Sequence, residues 1–290
     1  MTDVKESPGF ESIRGALPRI AHLIGKSVVL KVGGSVGLEP WILEDIAWLH
    51  RVGVQPVVVH GGGPMISDWQ ARLGYETRFV EGRRYTDEHT LDVVRAVLIG
   101  IVNSDLVGGF SALGVPAVGL SGLDGGLIQA AVRDPKLGLV GDVMHIDLRP
   151  MRAMQEAGYL VVVAPVGRDE NGSPLNINAD TVAGDIARAL HAEKLIFFTD
   201  VPGVLDREGK VIPTLSSDQV WDLIGSGEIH GGMIPKVEAC VRGLDTVTHA
   251  HIIDGRVPNA LLRAFLTDEA VGTMFTAEAP SVPQAHIREG

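Results

Sequence analysis

Two lysines stand beside glycine pairs at opposite ends of the chain. Lys31 is followed by Val32, Gly33 and Gly34, and Lys236 follows Gly231-Gly232-Met233-Ile234-Pro235. Glycines let backbone N–H groups turn toward an anion, and a lysine adds charge beside them. Either pair alone also reads as a tight turn, and the chain contains no GxxxxGK[ST] phosphate loop. A third glycine group, His60-Gly61-Gly62-Gly63-Pro64, ends in a proline placed for the first turn of a helix, which makes an N–H-rich helix start. In it, His60 reads as a structural hydrogen-bonding group rather than a base. Gly82-Arg83-Arg84-Tyr85-Thr86-Asp87 offers a guanidinium for a carboxylate and a helix cap in Asp87, or else a solvated arginine pair. Asn176-Ile177-Asn178-Ala179-Asp180 sets polar groups on one side before a helix, for substrate and lysine contacts or for a turn and cap. Thr199-Asp200-Val201-Pro202-Gly203-Val204-Leu205-Asp206 follows an apolar run and has room for a nucleotide.

The elements that must carry these groups are legible as short β-branched runs bounded by glycine or proline: 27–31, 55–60, 116–120, 159–166, 194–199 and 249–253. Such runs read as strands buried on both faces. Helical stretches lie between them, among them 40–51, 64–73, 87–113, 151–157 and 181–190. Strand alternating with helix implies an α/β fold with a mostly parallel sheet, and the glycine groups fall at the strand ends where such sheets bind ligands. An amphipathic helix over 10–23, kinked at Pro18, precedes the first strand and is expected to pack on its own domain or to form an oligomer contact. The tail after Thr276 is expected to be loosely ordered.

Composition narrows the classes. The 290 residues carry 25 basic and 36 acidic side chains, a net charge of −11. That balance argues against a nucleic-acid partner. The single cysteine, Cys240, excludes an intrachain disulfide and a cysteine metal site. No apolar run reads as the roughly 20 residues of a membrane span, and no signal or transit peptide is read, so a cytoplasmic protein is expected.

Taken in order, Lys-x-Gly-Gly, HGGG, GxRxTD, NxNAD, TDVxG and GGMxxK resemble the N-acetylglutamate kinases of the amino-acid kinase superfamily, from about Ser27 to Thr276. The resemblance implies a three-layer αβα sandwich around a mostly parallel sheet. It divides the chain into an N-terminal helix (1–26, a possible oligomerisation arm), an acyl-amino-acid lobe (27–190) and a nucleotide lobe (191–290). It implies ATP with Mg²⁺ and N-acetyl-L-glutamate as ligands, with no metal ligands from the protein. Lys31 and Lys236 would stabilise the transition state, and Asp180 would organise them. Gly62, Gly63, Arg84, Asn176 and Asn178 would hold the substrate. Gly33, Gly34, Asp200, Val201, Pro202, Gly203, Val204 and Leu205 would line the nucleotide. No general base is required, because the attacking carboxylate is already ionised near neutral pH.

Some positions depart from the family. KVGGS replaces KYGGN, and GRRYTD replaces GLRVTD. The RYTD string resembles related kinases acting on carrier-protein-bound aminoadipate, the alternative substrate class. The helix over 10–23 resembles one that links dimers of arginine-inhibited relatives into a hexamer. Arg19 stands where those relatives have tyrosine, Ala264 where they have glutamate and Ala270 where they have glycine. A homo-oligomer, dimer or hexamer, with a weak or altered arginine response is therefore expected. A non-catalytic arginine sensor on the same fold is the rival reading, and intact Lys31, Asp180 and Lys236 argue against it.

Overall fold

The computed structural model describes residues 8–33, 39–80 and 82–277. The chain opens with helix α1 (Pro8–Leu23), then alternates strand and helix: β1 (Ser27–Val32), α2 (Pro40–Arg51), β2 (Gln55–His60) and α3 (Gly63–Arg72). A hairpin of β3 (Phe79–Val80) and β4 (Arg83–Arg84) leads to α4 (Glu88–Arg95), which continues through a π-helical segment, Ala96–Val102, into α5 (Asn103–Ala112). Next come β5 (Ala117–Ser121), β6 (Ile128–Val132), β7 (Val140–Ile146), α6 (Arg149–Glu156), β8 (Leu160–Ala164), β9 (Val166–Arg168) and β10 (Pro174–Ile177). The last part holds α7 (Ala179–Leu190), β11 (Lys194–Thr199), β12 (Thr214–Ser216), α8 (Ser217–Gly225), α9 (Ile234–Gly243), β13 (His249–Asp254), α10 (Ala260–Leu266) and β14 (Thr273–Thr276).

The main sheet has eight strands in the order β12-β14-β13-β11-β1-β2-β8-β5. Its six strands from β13 to β5 are parallel, whereas β14 runs antiparallel to β13. Strand alternation explains the layers. Val29, Val57 and Val59 point to one face, where Val182 and Ile186 of α7 and Val237 of α9 cover them. Val28, Leu30 and Val58 point to the other, against Ile42 and Ile46 of α2, Leu106 and Phe110 of α5, and Phe265 of α10. The expected αβα sandwich is thus formed, and β1 pairs directly with β11, so the sheet is continuous across residue 190.

One expectation needs correction. The run 159–166 is two strands, because Pro165 has no N–H to extend the ladder; β9 joins β10, β7 and β6 in a small closed barrel instead. That barrel was not legible as strands. The helical run Glu88–Ala112 is long and apolar enough, by composition, to cross a membrane. Its Leu91, Val94, Val97, Leu106 and Phe110 are buried within the fold, as in a core helix. Helix α1 runs through Pro18, the position expected to kink it, as one helix.

Candidate active site

The strands β1 and β2 end side by side, and each delivers a functional group. Lys31 occupies the last turn of pleat in β1, paired with Val59 of β2 and Phe197 of β11. Its ammonium lies 2.7 Å from Oδ1 of Asp180. Asp180 sits in the first turn of α7, whose N-cap Asn178 accepts from the Asp180 and Thr181 N–H groups at 2.8 and 3.1 Å. Lys236, in the first turn of α9, donates from Nζ to the other oxygen, Oδ2, at 3.3 Å and to the Gly232 carbonyl at 3.1 Å. Each carboxylate oxygen thus meets one ammonium, Oδ1 that of Lys31 and Oδ2 that of Lys236. Burial alone would push the Asp180 carboxyl up, but the charges of Lys31 and Lys236 outweigh it and hold the group below its ordinary value. The result is a buried carboxylate between two cations, one more positive charge than negative.

A cavity of about 530 Å³ opens beside this cluster. Lys31, Asp180, Gly62, Gly63, Arg84, Asn176 and Asn178 all line it. Two helix starts, those of α3 at Gly63 and α7 at Ala179, also border it. The uncapped N–H groups at the start of α3 and the positive dipole ends of both helices favour an anion there.

Arg84 is held from three sides. Its guanidinium donates to Gln70 Oε1, to the Gly63 carbonyl at 2.8 Å and to Ser67 Oγ at 2.9 Å, and it lies over the Phe79 ring at 5.0 Å. Gln70 is buried, accepts also from Thr77 Oγ1 and donates to Thr90 Oγ1. Burial lowers the Arg84 guanidinium from its ordinary value, yet guanidinium remains a cation at neutral pH. Asn176 donates to Thr86 Oγ1 at 3.0 Å, and Asp87 caps α4 through the Thr90 N–H at 2.8 Å. His60 is buried and neutral: burial, the larger effect, together with the nearby Lys31 charge lowers it to about 4.

The structure therefore brings seven expected site residues to one cavity and ties Lys236 to them through Asp180. Asn178 spends its side-chain oxygen on the α7 cap. Asp200, Val201, Pro202, Gly203, Val204 and Leu205 do not line this cavity. They follow β11 at the same edge of the sheet. Val204 is a core residue whose N–H donates to Thr273 Oγ1 at 2.9 Å, so its side chain does not face a ligand. Gly33 follows β1 directly, and Gly34 lies outside the described residues. Sequence reading missed Gln70 and Asn103. The signal for Gln70 was a glutamine four residues after Ile66, on the buried face of α3. Arg133 and Asp142, an ion pair on the barrel strands at the cavity wall, were missed with the barrel itself.

A sheet with glycine-rich helix starts at its carboxyl edge, and two lysines converging there on one aspartate, describes a kinase of small carboxylic or amino acids. The family profile described as the amino acid kinase family matches residues 26–254, and the chain belongs to that family. Within it, the chain is 47% identical to the acetylglutamate kinase of Synechococcus sp. (strain RCC307) over 273 residues, covering 91% of this chain and 92% of that one. It is 45% identical to the acetylglutamate kinase of Symbiobacterium thermophilum over 276 residues, covering 89% and 94%. Among solved structures, the N-acetylglutamate synthase of Neisseria gonorrhoeae shares the fold at a TM-score of 0.83 and 24% identity, over 94% of this chain and 64% of that one. The carbamate kinase of Giardia lamblia shares it at 0.62 and 18%, over 88% and 99%.

Proposed function

We propose that this chain transfers the γ-phosphoryl group of ATP to the γ-carboxylate of N-acetyl-L-glutamate, yielding ADP and N-acetyl-L-glutamyl 5-phosphate, a step of arginine biosynthesis. The observation that carries this reading is the convergence of Lys31 and Lys236 on the buried Asp180, beside the glycine start of α3. Phosphoryl transfer asks the protein for in-line positioning and for neutralisation of the migrating charge. A carboxylate oxygen attacks the γ-phosphorus as the bond to the bridging oxygen of ADP breaks, and no proton moves. Lys31 and Lys236 face the migrating group from two sides. Asp180 balances their mutual repulsion and fixes their direction. The N–H groups at Gly62 and Gly63 meet the phosphoryl oxygens, and Arg84 takes the α-carboxylate of the substrate by its guanidinium edge. Asn176, anchored on Thr86, borders the same ligand.

Mg²⁺ bound with ATP would supply neutralisation of the phosphate chain. The loop 200–205 and Gly33 are assigned to the nucleotide, which places ATP over the part of the sheet around β11.

The test is ADP release from MgATP in the presence of N-acetyl-L-glutamate, with glutamate, aspartate, carbamate and carrier-protein-bound aminoadipate as comparison acceptors. Activity confined to one of these comparison acceptors overturns the substrate assignment, and no activity with any acceptor overturns the kinase reading.

Helix α1 supports an oligomer. Ile13, Leu17 and Ile24 are all more than half exposed and fall on one stripe. Arg19 is engaged in an ion pair with Asp268, and the Ala264 carbonyl accepts from Lys194 Nζ at 3.0 Å. With Arg19 adding positive charge and no glutamate at 264, a weak arginine response is the reading these residues favour.

A further inference from the structure

The π-helical segment Ala96–Val102 interrupts an otherwise regular helix next to the catalytic glycines. Its closing hydrogen bond runs from the Asn103 N–H to the Leu98 carbonyl, five residues back. In a regular α-helix two residues five apart point about 140° away from each other. The wider turn brings them to the same side. Both then act on one loop. Leu98 packs on Gly62 so closely that a Cβ there would lie 2.6 Å from Leu98 Cδ2, with Val102 Cγ2 at 3.5 Å. Asn103 reaches the same loop through His60.

That second contact is a buried relay. Asn103 Nδ2 donates to His60 Nε2 at 3.1 Å and to the Val162 carbonyl at 3.2 Å. A donor at Nε2 leaves the imidazole proton on Nδ1, which donates to the Gly61 carbonyl at 3.0 Å. Asn103 and His60 are 5% and 1% exposed. Space for the carboxamide is made by Gly119 of β5, where a Cβ would stand 1.8 Å from Asn103 Oδ1. Neither side chain lines the cavity, so neither touches substrate. The Gly61 carbonyl, however, is in the loop whose next N–H groups open α3.

We infer that Asn103 and His60 are positioning residues for phosphoryl transfer, and that the π turn exists to let Leu98 and Asn103 grip the Gly61–Gly62 backbone together. The inference rests on the reading of that loop as the phosphoryl cradle. Its consequence is geometric. With the Gly61 peptide pinned by His60 and Gly62 pinned by Leu98, the N–H groups at the start of α3 have one direction. A loop able to rotate would still admit substrate but would meet the migrating charge less often, which lowers turnover rather than binding.

The experiment compares Asn103→Leu, Gly119→Ala, His60→Leu and His60→Asn in the full chain. Gly119→Ala displaces the Asn103 carboxamide from an exposed edge-strand position and carries the test if Asn103→Leu fails to fold. His60→Asn keeps a donor near the Nδ1 position. The expected result is a fall in kcat of about 10- to 100-fold for Asn103→Leu and Gly119→Ala, with both KM values within about threefold of the parent. His60→Asn should retain more turnover than His60→Leu. The amide resonances of Gly61, Gly62 and Gly63 should shift in the same variants. Folded variants with unchanged glycine resonances and unchanged kcat overturn the inference, as does a rise in KM at constant kcat. If the parent shows no kinase activity, the proposed function fails, while the glycine resonances still decide whether the relay holds the loop.

Discussion

The ammonium of Lys31 lies 2.7 Å from the carboxylate of Asp180, with both side chains more than nine-tenths buried. An ion pair taken this far from water is held for something other than stability, since the cost of desolvation offsets much of the attraction. Here the second carboxylate oxygen takes Lys236, so the pair is the fixed end of a larger device. One carboxylate sets the directions of two cations that the chain supplies from β1 and α9.

Removing either lysine should therefore act on turnover. For Lys31→Ala and Lys236→Ala a loss of roughly 10³-fold in kcat is expected, which corresponds to about 4 kcal/mol of transition-state stabilisation. Steady-state kinetics with MgATP and N-acetyl-L-glutamate check this, with circular dichroism confirming the fold. Near-parental turnover in both variants would sink the mechanism.

Arg84 should separate from the lysines kinetically. In its proposed role Arg84 contacts the substrate equally in ground and transition states, so with Arg84→Ala the KM for the acyl amino acid should rise by about 10- to 100-fold with kcat changed much less. Gln70→Leu, which frees one edge of the guanidinium without removing its charge, should show the same pattern at smaller amplitude. A pure kcat effect in either variant contradicts the assignment.

The pH dependence of stability should carry the mark of Asp45. This residue of α2 is buried and accepts from the Leu262 N–H in the first turn of α10. Burial pushes its carboxyl up to about 6 against that hydrogen bond, and Glu44 adds to the rise. The folded chain thus holds the proton more tightly than the unfolded one. Stability falls as pH rises from about 4 to 6, and the full cost is present at neutral pH. Asp45→Asn keeps an acceptor for Leu262 and removes the charge. It should stabilise by about 1 to 2 kcal/mol at pH 8 and by almost nothing at pH 4. Urea unfolding at the two pH values measures this, and an equal effect at both would show the carboxyl to be unperturbed.

The contact proposed for α1 predicts that Leu17→Glu dissociates the oligomer. Leu17 is 56% exposed within one chain, so the substitution leaves the subunit fold intact while placing a charge in the apolar stripe. Light scattering coupled to size-exclusion chromatography should show a smaller species. An unchanged mass would move the contact to another surface.

Much of this protein is written locally. The parallel strands were visible because β1, β2, β8 and β11 are buried on both faces and are apolar along most of their length, and their glycine-rich ends followed from the need for free N–H groups. The order of Lys31, His60-Gly61-Gly62-Gly63, Arg84, Asn176, Asp180 and Lys236 carried the chemistry, because each group needs a particular residue type beside a strand end or helix start. Other features depend on contacts between distant segments and leave no local trace. The barrel of β6, β7, β9 and β10 is short-stranded and partly exposed, so its periodicity is weak. The π turn is decided by what Leu98 and Asn103 must reach, and Ala96–Val102 reads as ordinary apolar helix. The pairing of Lys31 and Lys236 through one carboxylate, the clamp of Gln70 on Arg84 and the reach of Asn103 to His60 arise only when the sheet brings residues tens to hundreds of positions apart within hydrogen-bond distance. Sequence specified the reactive groups and the elements that bear them; packing decided which of those groups meet, because directed contacts of about 3 Å exist only between surfaces already closed on each other.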